Sequence, residues 1–296
     1  MERPDILCIG SVLWDVIGRT QAPMRVGMDL PGRITRVPGG VALNIAMTLR
    51  RFGLRPALLS ALGRDAEGEE LILACANLGL EMGAVYLSDD LPTDRYMAIE
   101  GADGLVAAIA DAHSLEAAGA RILAPLRNGT FGTEETPWTG PVALDGNLTE
   151  KLIAEVARSP LFDRADLRIA PASPGKAERL TPLLGHPRAT FYVNLEEAGL
   201  ISKTAPQDST EAARAMRDAG ASRVLVTDGG RSACHADGMD MIDVAPPPVM
   251  VSRVTGAGDT FMAAHIAAEM RGERALDALS TAVRSAAQYV AGGDHV

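Results

Sequence analysis

From Pro141 onward the chain repeats one pattern: a short apolar run, a polar or glycine-bearing turn, then apolar residues at helical spacing. Residues 142–144 run into Asp145-Gly146-Asn147-Leu148, and residues 167–170 into Pro171-Ala172-Ser173. Residues 189–193 run into Asn194-Leu195-Glu196-Glu197, and residues 223–227 into Asp228-Gly229-Gly230. Continuous apolar runs of this length suit strands buried on both faces, and a strand–helix alternation buries both faces only as a parallel sheet between two helical layers. The expected fold class is therefore α/β, a doubly wound, mostly parallel sheet flanked by helices. Asp145, Asn147, Asn194, Glu197, Thr227 and Gly229 all fall at the carboxyl ends of those strands, where open α/β sheets bind ligands.

The N-terminal half reads less regularly. Residues 5–9 form a buried strand that Gly10-Ser11 ends, with Asp15 five residues after the glycine. Residues 12–37 lack a helical period and read as small strands outside the main core. Pro38-Gly39-Gly40 opens a helix that reaches Arg51, with Asn44 one turn inside it. Residues 56–62 are a further strand, residues 66–78 a helix, and residues 86–111 a hairpin turning at 101–104. That hairpin and segment 12–37 together can form a small separate sheet. Residues 126–140, rich in Gly, Thr and Pro, read as a mobile or variable loop.

Residues 253–261, Arg-Val-Thr-Gly-Ala-Gly-Asp-Thr-Phe, carry the strongest chemical signal. Residues 249–251 read as a short strand before it. Ala257, Phe261, Ala264 and Ala268 share a helical face after it, so a helix begins near Gly256. Gly256, Ala257 and Gly258 leave the first N–H groups of that helix uncovered, and such groups attract anions. Asp259 in this turn can lie beside a bound phosphate and accept a proton from an attacking hydroxyl. It can also be an ordinary first-turn acid beside a tight turn. Asn44 is open in the same way, between a satisfied amide and a ligand contact.

Composition narrows the classes. The 296 residues carry a net charge of −10, which argues against a broad nucleic-acid surface. Cys8, Cys75 and Cys234 are far apart without metal-ligand spacing, as expected of buried thiols in a reducing compartment. No apolar run approaches membrane length, and the N-terminus shows no signal-peptide pattern, so a soluble cytoplasmic protein is expected. Gly175-Lys176 lacks the first glycine and the Ser/Thr of a P-loop, and no dinucleotide, His-x-x-x-His or Gly-x-Ser-x-Gly pattern is present.

The turn 255–261, Thr-Gly-Ala-Gly-Asp-Thr-Phe, resembles the C-terminal signature of the ribokinase-like (pfkB) carbohydrate and nucleoside kinases. Gly39-Gly40-x-x-x-Asn44, followed by Gly63-x-Asp65-x-x-Gly68, resembles their N-terminal signature. Asn194-x-x-Glu197 resembles their magnesium and phosphate motif, and Thr227-x-Gly229 their nucleotide-side strand end. The resemblance runs along nearly the whole chain. It implies ATP and Mg2+, Asp259 as catalytic base, and the amides of Gly256, Ala257 and Gly258 around the transferred phosphoryl group. It implies Asp15, Gly39, Gly40 and Asn44 at the substrate hydroxyls, Asn194, Thr227 and Gly229 at the nucleotide, and Glu197 at the metal. Residues 11–37 and 88–111 would form a β-sheet lid, with Tyr96 and Ile109 over the base, on a core of 1–10, 38–87 and 112–296. A homodimer through the lid is a further expectation, since exposed sheet edges and faces seek cover.

Within the family, residues 101–111, 144–148 and 171–177 resemble the pseudouridine kinase group, which implies a nucleoside 5′-hydroxyl as acceptor. A ribose or ketohexose kinase, another nucleoside kinase and a catalytically silent regulator remain alternatives. Two departures stand out. Val193 replaces a common Pro. Arg253 stands where an acid or Asn is usual and where many relatives hold a monovalent cation, which puts K+ activation in doubt and suggests that Arg253 supplies the charge itself.

Overall fold

The computed structural model describes residues 3–293. Strands β1 (Ile6–Ile9), β2 (Leu13–Arg19) and β3 (Arg33–Gly39) precede helix α1 (Val41–Arg51). Then come β4 (Pro56–Leu59), β5 (Ala61–Gly63), α2 (Ala66–Asn77), β6 (Tyr86–Ser88), β7 (Arg95–Gly101), β8 (Gly104–Asp111) and α3 (His113–Ala118). The C-terminal half holds β9 (Pro141–Asp145), α4 (Glu150–Val156), β10 (Asp166–Ala170), β11 (Ala189–Asn194), α5 (Leu195–Ser202) and α6 (Ser209–Asp218). It ends with β12 (Arg223–Thr227), β13 (Ala233–Asp237), β14 (Asp240–Val244), α7 (Ala257–Met270) and α8 (Ala275–Val290).

Eight strands form the main sheet in the order β14-β13-β12-β11-β10-β9-β1-β4. From β12 to β4 all pairings are parallel, and β13 and β14 close one edge antiparallel. In β1, Leu7 and Ile9 face one apolar layer while Ile6 and Cys8 face the other. Burial on both faces explains why the parallel strands read as unbroken apolar runs. The chain leaves β1 for β4 on one side and returns to β9 on the other. The carboxyl ends of β1 and β9 therefore flank a topological switch point, where a crevice opens.

Helix α7 is buried all round from Thr260 to Ala268. Its alanines let α1 and α8 approach closely on the same face of the sheet. A second sheet of four strands, β3-β2-β7-β8, stands apart from the first. β2 and β3 are regular seven-residue strands of this second sheet, in line with the reading of residues 12–37 as small strands outside the main core. β3 is wet along most of its length and carries Arg, Thr and Pro, which erases a period-two pattern.

Three expectations change. Residues 56–62 divide at Ser60 into β4 and β5, and β5 pairs with β6 in a separate two-stranded sheet. The helix after β10 is a 3₁₀ segment, Pro174–Leu183, with Pro182 near its end. Residues 249–251 form no strand. They follow Pro246-Pro247-Pro248, which offer no ladder donors, and Met250 is 90% exposed. The loop around residues 126–140 is pinned: Trp138 is buried, meets Phe131 edge-on at 6.2 Å and donates to the Pro141 carbonyl. The cysteines are buried and unpaired, and no helix among the described residues is long and apolar enough to cross a membrane.

Candidate active site

The switch point is organised by a fully buried carboxylate. Asp145, at the end of β9, accepts from the Ser11 N–H at 2.7 Å, the Ser11 hydroxyl at 3.0 Å, the Ala42 N–H at 3.1 Å and the Asn147 N–H at 2.7 Å. Burial pushes its pKa up against those bonds. One side chain thus ties the ends of β1 and β9 to the start of α1. The Ser11 hydroxyl also accepts from the Val41 N–H and from the Asn147 amide, whose own oxygen accepts from Lys176 Nζ at 2.7 Å.

Helices α1 and α7 then meet through their first turns. Asn44 Nδ2 donates to Asp259 Oδ2 at 2.9 Å. Burial raises the Asp259 pKa to about 7; the Asn44 bond lowers it, and the charges of Asp145, Glu197 and Asp15 raise it further. Burial likewise raises Asp15 to about 6 and Glu197 to about 7. A carboxylate titrating near neutrality beside a cavity is suited to proton transfer.

The turn before α7 has Gly256 in the left-handed region at φ 88°, and a Cβ there would meet the Tyr289 hydroxyl at 2.5 Å. Tyr289 donates to the Thr255 carbonyl at 2.9 Å. The Ala257 N–H closes a turn onto the Val254 carbonyl at 3.0 Å. The three amides expected around an anion differ in their partners. Among the described residues the N–H groups of Gly256 and Gly258 have no acceptor, whereas that of Ala257 is engaged.

Asn194 and Glu197 form a capping box at the start of α5: the Glu197 N–H donates to Asn194 Oδ1 at 2.9 Å, and the Asn194 N–H donates to Glu197 Oε2 at 2.8 Å. Their spacing therefore has a structural cause, two orphan amides satisfied reciprocally. Glu197 Oε1 lies outside the box. No group of three His, Cys, Asp or Glu side chains placed to hold a metal exists among the described residues. That donor set suits an ion carried mainly by phosphate oxygens and water, as Mg2+ is.

These residues line one cavity of about 1230 Å³. Asp15, Ile17, Tyr96, Ala98, Glu100 and Leu105 of the small sheet form its roof. Ser11, Gly40, Asn44, Asn147, Lys176 and Asp259 lie along its middle, and Asn194, Glu197, Thr227, Gly229, Gly256, Ala257 and Gly258 line its far end with Val283 and Ala287 of α8. Two expected residues are elsewhere. Gly39 is buried outside the cavity, and a Cβ on it would stand 2.0 Å from Asp15 Oδ2, so its contribution is room for that carboxylate. Ile109 pairs with Met97 on the opposite face of the small sheet and is 66% exposed, because strand side chains alternate; of Tyr96 and Ile109, Tyr96 alone faces the cavity. Arg253 is also absent from the lining. Sequence reasoning singled out neither Ser11 nor Lys176 as site residues. Lys176 enters the sequence reading only in a failed P-loop and in the 171–177 resemblance; its signal as a site residue is a cation two residues into the segment after a strand end.

This arrangement, a carboxylate and free amides at a helix start beneath a two-layered cleft, is that of a phosphotransferase acting on an alcohol. The profile of the pfkB family carbohydrate kinases matches residues 3–293, and the chain belongs to that family. It is 27% identical over 276 residues to the pseudouridine kinase of Escherichia coli, covering 88% of this chain and 82% of that one. In structure it is similar to a carbohydrate kinase from Agrobacterium tumefaciens, with TM-score 0.79, 26% identity, and coverage of 95% and 89%. It shares its fold with an Arabidopsis thaliana ribokinase solved with ribose and ATP, with TM-score 0.78, 19% identity, and coverage of 97% and 93%.

Proposed function

We propose that the chain transfers the γ-phosphoryl group of ATP to the 5′-hydroxyl of a nucleoside, with pseudouridine as the preferred acceptor. The observation that carries this reading is the placement of Asp259. Its carboxylate is gripped by Asn44, titrates near neutrality, and adjoins the unpartnered Gly256 and Gly258 amides in a cavity with a half-apolar roof. The similarity to the Escherichia coli pseudouridine kinase supports the choice of acceptor.

Asp259 accepts the proton as the acceptor oxygen attacks phosphorus. Asn44 holds one carboxylate oxygen and leaves the other to face the alcohol. The Gly256 and Gly258 N–H groups stabilise the charge that develops on the transferred group, as an oxyanion hole does. Asp15, Gly40 and Asn44 orient the ribose diol, since a carboxylate and an amide together accept from and donate to vicinal hydroxyls. Asn194, Thr227 and Gly229 lie at the nucleotide end. Lys176, held by Asn147, brings a cation into a cavity whose lining also carries Asp15, Glu197 and Asp259. When bound, Mg2+ supplies charge neutralisation on the phosphates, and Glu197 Oε1 is the oxygen available to it or its waters. The small sheet serves as a lid, and two copies pair through its outer face.

The test is ADP release with pseudouridine, uridine, ribose and fructose side by side. Pseudouridine should give the highest kcat/KM, and Asp259→Asn should reduce it roughly 10²-fold or more, the scale of losing a general base. Preference for a free sugar would replace the nucleoside by a carbohydrate acceptor. No ADP with any acceptor would favour a silent regulator.

A further inference from the structure

We infer that Arg253 is a tethered internal cation that fixes the phosphate-binding turn, so that catalysis needs no free monovalent cation there. Its activity readout rests on the kinase reading above. The guanidinium donates through Nε to the Tyr289 carbonyl and through Nη2 to the Gly293 carbonyl, both at 3.0 Å. These oxygens lie at and just past the C-terminal end of α8, where the helix dipole is negative and a cation is favoured. The guanidinium carbon stands 3.9 Å from the centroid of the Tyr289 ring, a cation–π contact. The same tyrosine donates its hydroxyl proton to the Thr255 carbonyl, and that hydroxyl abuts Gly256. The backbone makes the connection twice more, since the N–H groups of Ser252 and Arg253 both donate to the Val290 carbonyl.

A continuous chain of contacts thus runs from the guanidinium through the Tyr289 ring and hydroxyl to Thr255 and Gly256. A monovalent cation is stabilised by backbone carbonyl oxygens that replace its hydration shell. Here two carbonyls of that kind face a guanidinium, whose fixed charge repels a second cation and whose planar fork holds both oxygens at once. The residues therefore do not fit the monovalent cation that the family resemblance suggested. Arg253 does not line the cavity, so it acts as a positioning residue through the turn and not on the phosphates directly.

The experiment compares ADP turnover and calorimetric ATP affinity for the wild type, Arg253→Met and Arg253→Lys, in potassium chloride and in choline chloride at equal ionic strength. The wild type should respond equally to both salts. Arg253→Met should lose about tenfold or more in kcat with little change in acceptor KM, the scale of losing charged hydrogen bonds. Potassium or dilute guanidinium should restore much of that loss, and Arg253→Lys should fall between the two. Strong potassium activation of the wild type overturns the inference and needs no variant, so a misfolded Arg253→Met would not protect it. So does a folded Arg253→Met with wild-type turnover, or one whose defect no cation relieves. A wild type that binds ATP without turning over any acceptor removes the acceptor reading, and the same salt comparison then reads on ATP affinity. A wild type that does not bind ATP overturns both.

Discussion

Asp259 is costly to ionise because burial removes it from water and three other carboxylates face it, with Asn44 offering partial relief. For a general base this sets the active limb of the pH profile. kcat/KM should rise with pH through about 7 and level off above it. The same residue should leave a stability signature of opposite direction. The folded-state pKa of about 7 lies above the unfolded value of 3.8, so the folded protein holds an extra proton between those values. Its stabilising contribution is complete below about pH 4 and is lost as pH rises through about 7. Asp15 and Glu197, raised to about 6 and about 7, act in the same direction. Asp259→Asn should therefore melt above the wild type at pH 8 and match it near pH 4, in calorimetric scans across pH. A variant less stable than the wild type at pH 8 would show that burial does not dominate this group.

At the scale of elements, α7 is fixed at both ends, and only one end was legible in the sequence. Its first turn announces itself because glycines, acid and helical spacing are contiguous. Its last turn depends on strands far away in the chain: Glu269 accepts from Arg223 at 2.7 and 3.1 Å and from Arg168. The roles of Ser11 and Lys176 were hidden for the same reason, since they meet Asn147 only where β1, β9 and β10 end side by side. The parallel strands were legible because burial on both faces writes an apolar run. β13 and β14 were not, because Ala, Cys, His and Asp at an antiparallel edge carry no such run. The prediction for this element concerns Glu269. Burial alone would raise its pKa, yet Arg168, His265 and Arg223 hold it at about 2. Glu269→Gln should lower stability by about 3 kcal/mol, the scale of leaving buried cations short of a partner, read as a lower urea midpoint at unchanged slope. The wild-type contribution is present above about pH 4.5 and lost as pH falls toward 2, so the difference should shrink in acid. Turnover should fall less than in Asp259→Asn, because the chemistry is at the other end of the helix.

For the whole molecule, the small sheet has two faces with different obligations. Asp15, Tyr96 and Ala98 face the cavity, whereas Ile34, Met97, Ile99 and Ile109 share the other face. Those four are exposed, Ile34 at 77% and Ile109 at 66%. A contiguous apolar face on a four-stranded sheet with two open edges is a surface that seeks cover, and a second copy presents a matching one. Sedimentation should show a dimer at micromolar concentration, and Ile109→Glu should shift it to monomer. The kinetic consequence follows from which half of the cavity the sheet builds. It roofs the end that holds Asp15, so loosening it should raise the acceptor KM. The end proposed for the nucleotide is built by β11, β12, α7 and α8, so ATP affinity should stay within about twofold of the wild type, as for sites with no shared partners. A wild type that sediments as a monomer would exclude the pairing. A dimer that survives Ile109→Glu with an unchanged acceptor KM would place the interface elsewhere and leave the apolar face without a role in assembly.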